Sequence, residues 1–163
     1  MTYVAPDPAL AVTTTSVRVR FGETDLMGIV HHASYLSYVE VARVEWLRRR
    51  GVKYSDWARR GLHMPVIEVS LRYRAPSRFD DVLDVEARLG ELRAASLRFD
   101  YRITRAHAAI EDDGHRAASA GATSGAPLLI AEGSTRLACV DDRHAVRRFT
   151  DEMISVLRSG ETR

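Results

Sequence analysis

The sequence predicts an α+β domain in which one long, largely apolar helix packs against a single antiparallel sheet of five or six strands. Three observations predict it. Tyr35, Val39, Ala42 and Trp46 recur at helical spacing, with Leu36 and Leu47 beside them, giving an apolar stripe of about three turns. From residue 64 to 105, and again from 127 to 140, the period drops to two, as in strands with one buried face. The strands also follow one another through short connections, the mark of an antiparallel meander and not of βαβ units.

Taken in order, residues 1–15 hold Pro6, Pro8 and a threonine run without period, and are expected to form a flexible arm. The domain proper is expected over 16–142. It opens with a strand from Ser16 to Phe21, where Val17, Val19 and Phe21 alternate with Arg18 and Arg20. The polar stretch Gly22 to Gly28 must turn. Ser34 is the expected N-cap of the long helix; Arg48, Arg49 and Arg50 suit its negative end, and Gly51 can take the left-handed position that stops it. Val41 and Val44 are apolar as well, so the helix should be covered on more than one side. A short second helix is expected from Ser55, as N-cap, to near Gly61. Strands are expected over 64–75, 81–92 and 95–105, the first two separated by Ala75-Pro76-Ser77 and the last two by a tight turn near Arg93-Ala94. The segment 106–126, rich in Ala, Gly, Ser and Asp, reads as a long mobile hairpin connection. A strand over 127–140 follows. Residues 143–163 should supply a C-terminal helix on Val146, Phe149, Met153, Val156 and Leu157, and a tail.

Composition narrows the function classes. A length of 163 residues fits one domain, and the hydrophobic (45%) and charged (28%) fractions are ordinary for a globular chain. With 24 basic and 22 acidic residues the formal charge is +2, no general field for nucleic acid. Cys139 is the single cysteine, which excludes an internal disulfide and a multi-cysteine zinc site. No apolar run reaches the roughly 18 residues of a membrane span, and Met1 to Ser16 lacks the pattern of a secretory signal. The expectation is a cytoplasmic protein with no nucleic-acid partner and no membrane span. One helix on one curved sheet leaves edges and apolar surface open, so a homodimer or homotetramer is expected.

The stretch Asp25-Leu26-Met27-Gly28-Ile29-Val30-His31-His32-Ala33-Ser34-Tyr35 sets a carboxylate and two histidines just before a helix N-terminus. That end offers unpaired N–H groups and partial positive charge, which suit a developing oxyanion. A carboxylate beside it can act as base or nucleophile on a bound carbonyl. On spacing alone, the commoner role of such an aspartate is to cap a turn. A metal held by His31 and His32 is disfavoured, because adjacent histidines diverge and no third ligand is signalled.

Phe21-Gly22-Glu23-Thr24-Asp25-x-x-Gly28-Ile29-Val30-x-His32-x-Ser34-Tyr35 resembles the signature of the 4-hydroxybenzoyl-CoA thioesterase family of hot-dog proteins, including its Tol-Pal-associated acyl-CoA thioesterases. The similarity continues through Glu40-x-Ala42-Arg43-x-Glu45-Trp46-Leu47, Pro65-Val66, Tyr73-x-Ala75-Pro76 and Asp80-Asp81-Val82-Leu83. It covers roughly residues 16–105 and resumes over 128–142. The resemblance implies a hot-dog fold, the long central helix wrapped by the sheet, with paired protomers building active sites at their interface. It implies that Asp25 is the catalytic carboxylate, either attacking the thioester or activating water. It further implies that the backbone N–H of His32 polarises the thioester carbonyl. The His32 side chain matches the aliphatic acyl-CoA branch. Gly28, Val30, Ser34 and Tyr35 of the same motif are assigned to the substrate-binding surround. Ser34 stands where asparagine is commoner, and His31 where an aromatic residue is commoner.

By alignment Arg93 and Arg136 match arginines near the family's CoA-phosphate site, a role that suits guanidinium groups. Their other reading is as solvated strand charges. Glu40, Arg43 and Glu45 read as ion-pair or interface residues. Trp46, Trp57 and Tyr73 read as core, and Cys139 as packing. The expected function is acyl-CoA thioester hydrolysis on an acyl-CoA substrate, with no metal and no cofactor. The alternatives are a non-catalytic acyl-CoA-binding or partner-binding hot-dog protein and a hot-dog dehydratase or hydratase.

Overall fold

A computed structural model describes residues 12–105 and 126–159. The expectations for the N-terminal residues 1–11 and for most of the 106–126 connection lie outside the described residues. The elements run β1 (Val12–Arg18), α1 (Ser34–Arg48), α2 (Tyr54–Arg59), β2 (Val66–Tyr73), β3 (Val82–Leu92), β4 (Ser96–Arg105), β5 (Leu128–Ala138) and α3 (Asp151–Arg158). One five-stranded sheet has the order β1-β3-β4-β5-β2, with every neighbouring pair antiparallel.

Alternation decides which face holds the helix. Leu83, Val85, Ala87 and Leu89 of β3, and Leu97, Phe99, Tyr101 and Ile103 of β4, all turn inward and are buried. Against them α1 packs Tyr35, Tyr38, Val39, Ala42, Trp46 and Leu47. Trp46 meets Phe99 edge-on, with centroids 5.1 Å apart. The outward face carries charge in cross-strand rows: Glu86 lies opposite Arg102, Arg102 opposite Glu132, and Glu132 opposite Arg72. The helix is wrapped by the concave side of the sheet, which is the hot-dog arrangement.

Several boundaries differ from the sequence reading, each for a local reason. β1 begins at Val12, inside the stretch expected to be a loose arm, because residues 12–18 find partners in residues 82–88 of β3. Ser34 is the first helical residue and not the cap; Ala33 holds the cap position, and the Ser34 hydroxyl donates to the Glu23 carbonyl at 3.3 Å. Lys53, not Ser55, precedes α2. The last helix is shorter than expected: Thr150 caps it by accepting from the Met153 N–H at 3.2 Å, leaving Val146 and Phe149 in the preceding loop. α1 stops as expected, with Gly51 at φ +79°. Arg50 does more than face the helix end. Only 4% exposed, it lies over the Trp46 ring at 3.5 Å and donates to Trp46 O, Thr13 Oγ1 and Ser159 O, tying α1, β1 and the end of α3 together.

Two surfaces stay uncovered. Val41 and Leu36 of α1 are 49% and 42% exposed, so within one protomer the helix is covered on one side only. The edge strand β2 exposes Val66, Ile67, Val69 and Tyr73. Such an apolar edge is what a soluble protomer ordinarily avoids.

Candidate active site

The segment between β1 and α1 folds back on itself. A single 3-10 turn at Phe21–Glu23 sends the chain outward, and Thr24 then pairs with Val30 as an isolated antiparallel bridge. The Asp25 N–H donates to Ile29 O at 2.9 Å, the Gly28 N–H to Asp25 O at 2.9 Å, and the His31 N–H to Glu23 O at 2.8 Å. Gly28 closes this hairpin at φ +69°, a conformation side chains disfavour. Asp25 therefore faces the strand-like run that leads into α1. One carboxylate oxygen, Oδ1, accepts from the Met27 N–H at 2.8 Å and fixes the side chain. The second oxygen has no hydrogen-bond partner among the described residues.

His31 and His32 both lie exposed at the entry to α1, their rings tilted 34° to each other with centroids 4.1 Å apart. His31 Nδ1 accepts from the Ala33 N–H at 3.2 Å. The His32 N–H has no hydrogen-bond partner among the described residues, one orphan donor of a helix start. A carboxylate oxygen and a free N–H thus flank one turn. A donor and a base are the two kinds of group that carbonyl chemistry uses.

Glu23 holds the hairpin in place, a role the sequence did not reveal. Its side chain is only 10% exposed and accepts from Arg20 N (2.7 Å), Arg20 Nη2 (2.6 Å) and the Tyr38 hydroxyl (2.7 Å). Burial alone would raise this carboxyl, but the hydrogen bonds from Arg20 and Tyr38 hold it below the ordinary glutamate range. Tyr38 is pushed upward, first by burial and then by its bond to Glu23. Tyr73 was expected in the core but is 46% exposed, and its hydroxyl donates to His32 O at 3.0 Å. It braces the turn from the end of β2.

The structure brings Asp25, Gly28, His32 and Ser34 to one turn. The side chains of Val30 and Tyr35, expected to contact substrate, are buried at 4% and 3%. The Tyr35 hydroxyl bonds Ser77 Oγ at 2.7 Å, so both residues support the turn from beneath. Arg93 and Arg136 come together elsewhere. Both grip Glu91, at 2.8 and 2.7 Å, and Arg136 also lies 3.5 Å from Glu68. Arg93 sits at the β3–β4 turn and Arg136 on β5 opposite Glu68 of β2, at the opposite end of the sheet from Asp25. Glu45 pairs with Arg48 and Arg49 on α1. Cys139 is buried, which pushes its thiol up and leaves it inert.

The sequence model of the thioesterase-like superfamily matches residues 19–155. An acyl-CoA thioester hydrolase of Escherichia coli, YbgC, is 36% identical over 90 residues, covering 55% of this chain and 67% of the relative. A hypothetical protein of Thermus thermophilus, TT1821, shares 36% identity and a TM-score of 0.73, over 90% of this chain and 95% of its own. The 4-hydroxybenzoyl-CoA thioesterase of a Pseudomonas species superposes at TM-score 0.70 with 18% identity, over 90% of this chain and 99% of that one, a likeness of fold.

Proposed function

Because the chain belongs to the thioesterase-like superfamily, we propose that it is an acyl-CoA thioesterase, releasing a free carboxylic acid and coenzyme A. The observation that carries this reading is that the hairpin leading into α1 holds both a free Asp25 oxygen and the unpaired His32 N–H. The thioester carbonyl oxygen takes the N–H of His32, which stabilises the negative charge that grows there. Asp25 supplies the electron pair in one of two ways: it draws a proton from a water that attacks the carbonyl carbon, or it attacks that carbon itself and the mixed anhydride so formed is then cleaved by water. The carbon–sulfur bond breaks, and the CoA thiolate leaves and takes up a proton.

The binding half of the site comes from a second protomer. β2 runs antiparallel to α1: Tyr73 at its end touches His32, and Val66 at its start lies near Val44 and Leu47. Pairing two β2 edges around a twofold axis sets the start of the partner's strand beside the Asp25 turn. The same rotation carries the arginines at positions 93 and 136 of the partner toward that turn, although within one protomer they are remote. Centred on Ser70, the pairing sets Glu68 opposite position 72 of the partner, an arginine, and Val69 opposite position 71, a leucine. The exposed apolar edge of β2 supports a homodimer, which can pair again as a tetramer.

A panel of acyl-CoA thioesters followed by free-thiol release tests the reading, with Asp25→Asn run in parallel. Thiol release by the wild type and its loss in the variant are expected. A wild-type protein that releases no thiol from any CoA ester refutes it.

A further inference from the structure

A cavity of about 290 Å³ lies between the C-terminal half of α1 and the inner face of the sheet. Val44 and Leu47 of α1, Met64 just before β2, Val66 at its start and Leu137 of β5 form its walls, and Leu157 of α3 completes them. Exposure gives its direction. Val66 is 41% exposed, whereas Leu47, Leu137 and Leu157 are at most 2% exposed, so the cavity opens beside β2 and ends on α3. Its charged residues, Glu40 and Arg43, come from α1, and the Arg43 guanidinium turns toward the Tyr101 hydroxyl at 3.4 Å. The buried end is lined by leucines.

The helix that closes it is fixed and not a loose tail. Met153 and Leu157 are buried, Arg60 donates two bonds to Glu152 at 2.9 and 2.7 Å, and Arg50 Nε holds Ser159 O at 3.1 Å. A wall anchored at its start, middle and end can serve as a ruler.

We infer that this cavity takes the acyl chain and that α3 sets its length, with Leu157 as the specificity-determining residue. The inference rests on the thioesterase reading above and names its substrate class, CoA esters of unbranched, medium-length aliphatic acids. The twofold pairing of β2 puts the cavity's open end, at Val66, beside the Asp25 turn of the other protomer. A cavity of about 150 Å³ holds one benzene, so 290 Å³ accommodates on the order of ten carbons. Leucines at the buried end leave a hydroxylated ring or a second carboxylate without partners, which disfavours both.

The test measures kcat/KM along a series of straight-chain acyl-CoA esters for wild type, Leu157→Ala and Val44→Phe. Removing the floor should raise the ratio of long-chain to medium-chain kcat/KM by roughly tenfold or more, the usual worth of one or two methylenes in an apolar pocket. Filling the cavity from α1 with Val44→Phe should lower the same ratio, and this variant leaves no hole should Leu157→Ala fail to fold. A wild-type enzyme active across the series, with both folded variants keeping its chain-length profile, overturns the inference while leaving the thioesterase reading intact. A wild type equally active on every chain length, or best on an aromatic ester, overturns it as well.

Discussion

In the proposed mechanism Asp25 serves two ends at once, and the two can be separated by one substitution. Its Oδ1 caps the turn through Met27, while its other oxygen is free for chemistry. Asparagine retains an acceptor for the Met27 N–H but is a poor base and a poor nucleophile. Asp25→Asn should therefore keep its melting temperature within a few degrees and lose kcat by on the order of 10²-fold or more. A folded variant with near wild-type turnover would make Asp25 a turn-capping residue alone. Glu23, two residues earlier, gives a pH signature. Hydrogen bonds hold its carboxyl below the ordinary value of 4.5, so its stabilisation is present above that value and is lost as pH falls through the folded one. Thermal melts between about pH 5 and pH 3 should lose less stability in Glu23→Gln than in wild type. Parallel curves for the two proteins would show that the Arg20–Glu23–Tyr38 cluster carries no such linkage. The Asp25 hairpin was legible in the sequence because its residues sit in one contiguous run. Glu23 was not, because its value depends on Tyr38 fifteen residues away along the chain, and only folding joins them.

At the scale of elements, periodicity served better than capping rules. The alternation in β3 and β4 forced which residues face α1, and those residues are buried. Ser34 failed as a cap because a tertiary bond outweighs local preference: its hydroxyl turns to the Glu23 carbonyl in the neighbouring hairpin. β1 escaped notice over 12–15 because a threonine run has no hydrophobic alternation, and its pairing with β3 supplies the order instead. Tyr73 read as core since large aromatics usually are, yet it lies on β2, an edge strand of the sheet. That edge is where the element-scale prediction belongs. Val69 is 45% exposed on β2, so an arginine there is harmless to a lone protomer but sets two like charges close together across a β2–β2 pair. Val69→Arg should stay folded by circular dichroism and elute as a species of about 18.3 kDa on light scattering. A variant that keeps the wild-type mass above that of one chain would move the interface elsewhere.

For the whole molecule, the separation of Asp25 from Arg93 and Arg136 is the fact that most needs an assembly. A substrate cannot lie between groups at opposite ends of one sheet, whereas the proposed twofold axis through the β2 edge would bring the arginines of one protomer to the aspartate of the other. The consequence is a complementation experiment. One variant carries Asp25→Asn, and the other carries Arg93→Ala with Arg136→Ala. Alone, the first is expected to lack turnover and the second to work poorly at low CoA-ester concentration, because phosphate contacts far from the reacting carbon act mainly through KM. Unfolded together and refolded as a mixture, half the dimers pair one of each. In such a dimer one site receives the intact Asp25 from one chain and the intact arginines from the other, while the second site is damaged twice. Random pairing thus restores about a quarter of the wild-type sites, since each mixed dimer regains one site of two. Low-substrate activity near that fraction, absent when the two variants are combined without refolding, is the expected result. If each site were built within one chain, no mixed dimer would hold an intact site and activity would stay at the average of the two parents. That outcome would break the link between the β2 edge and the CoA-binding arginines, and with it the shared site.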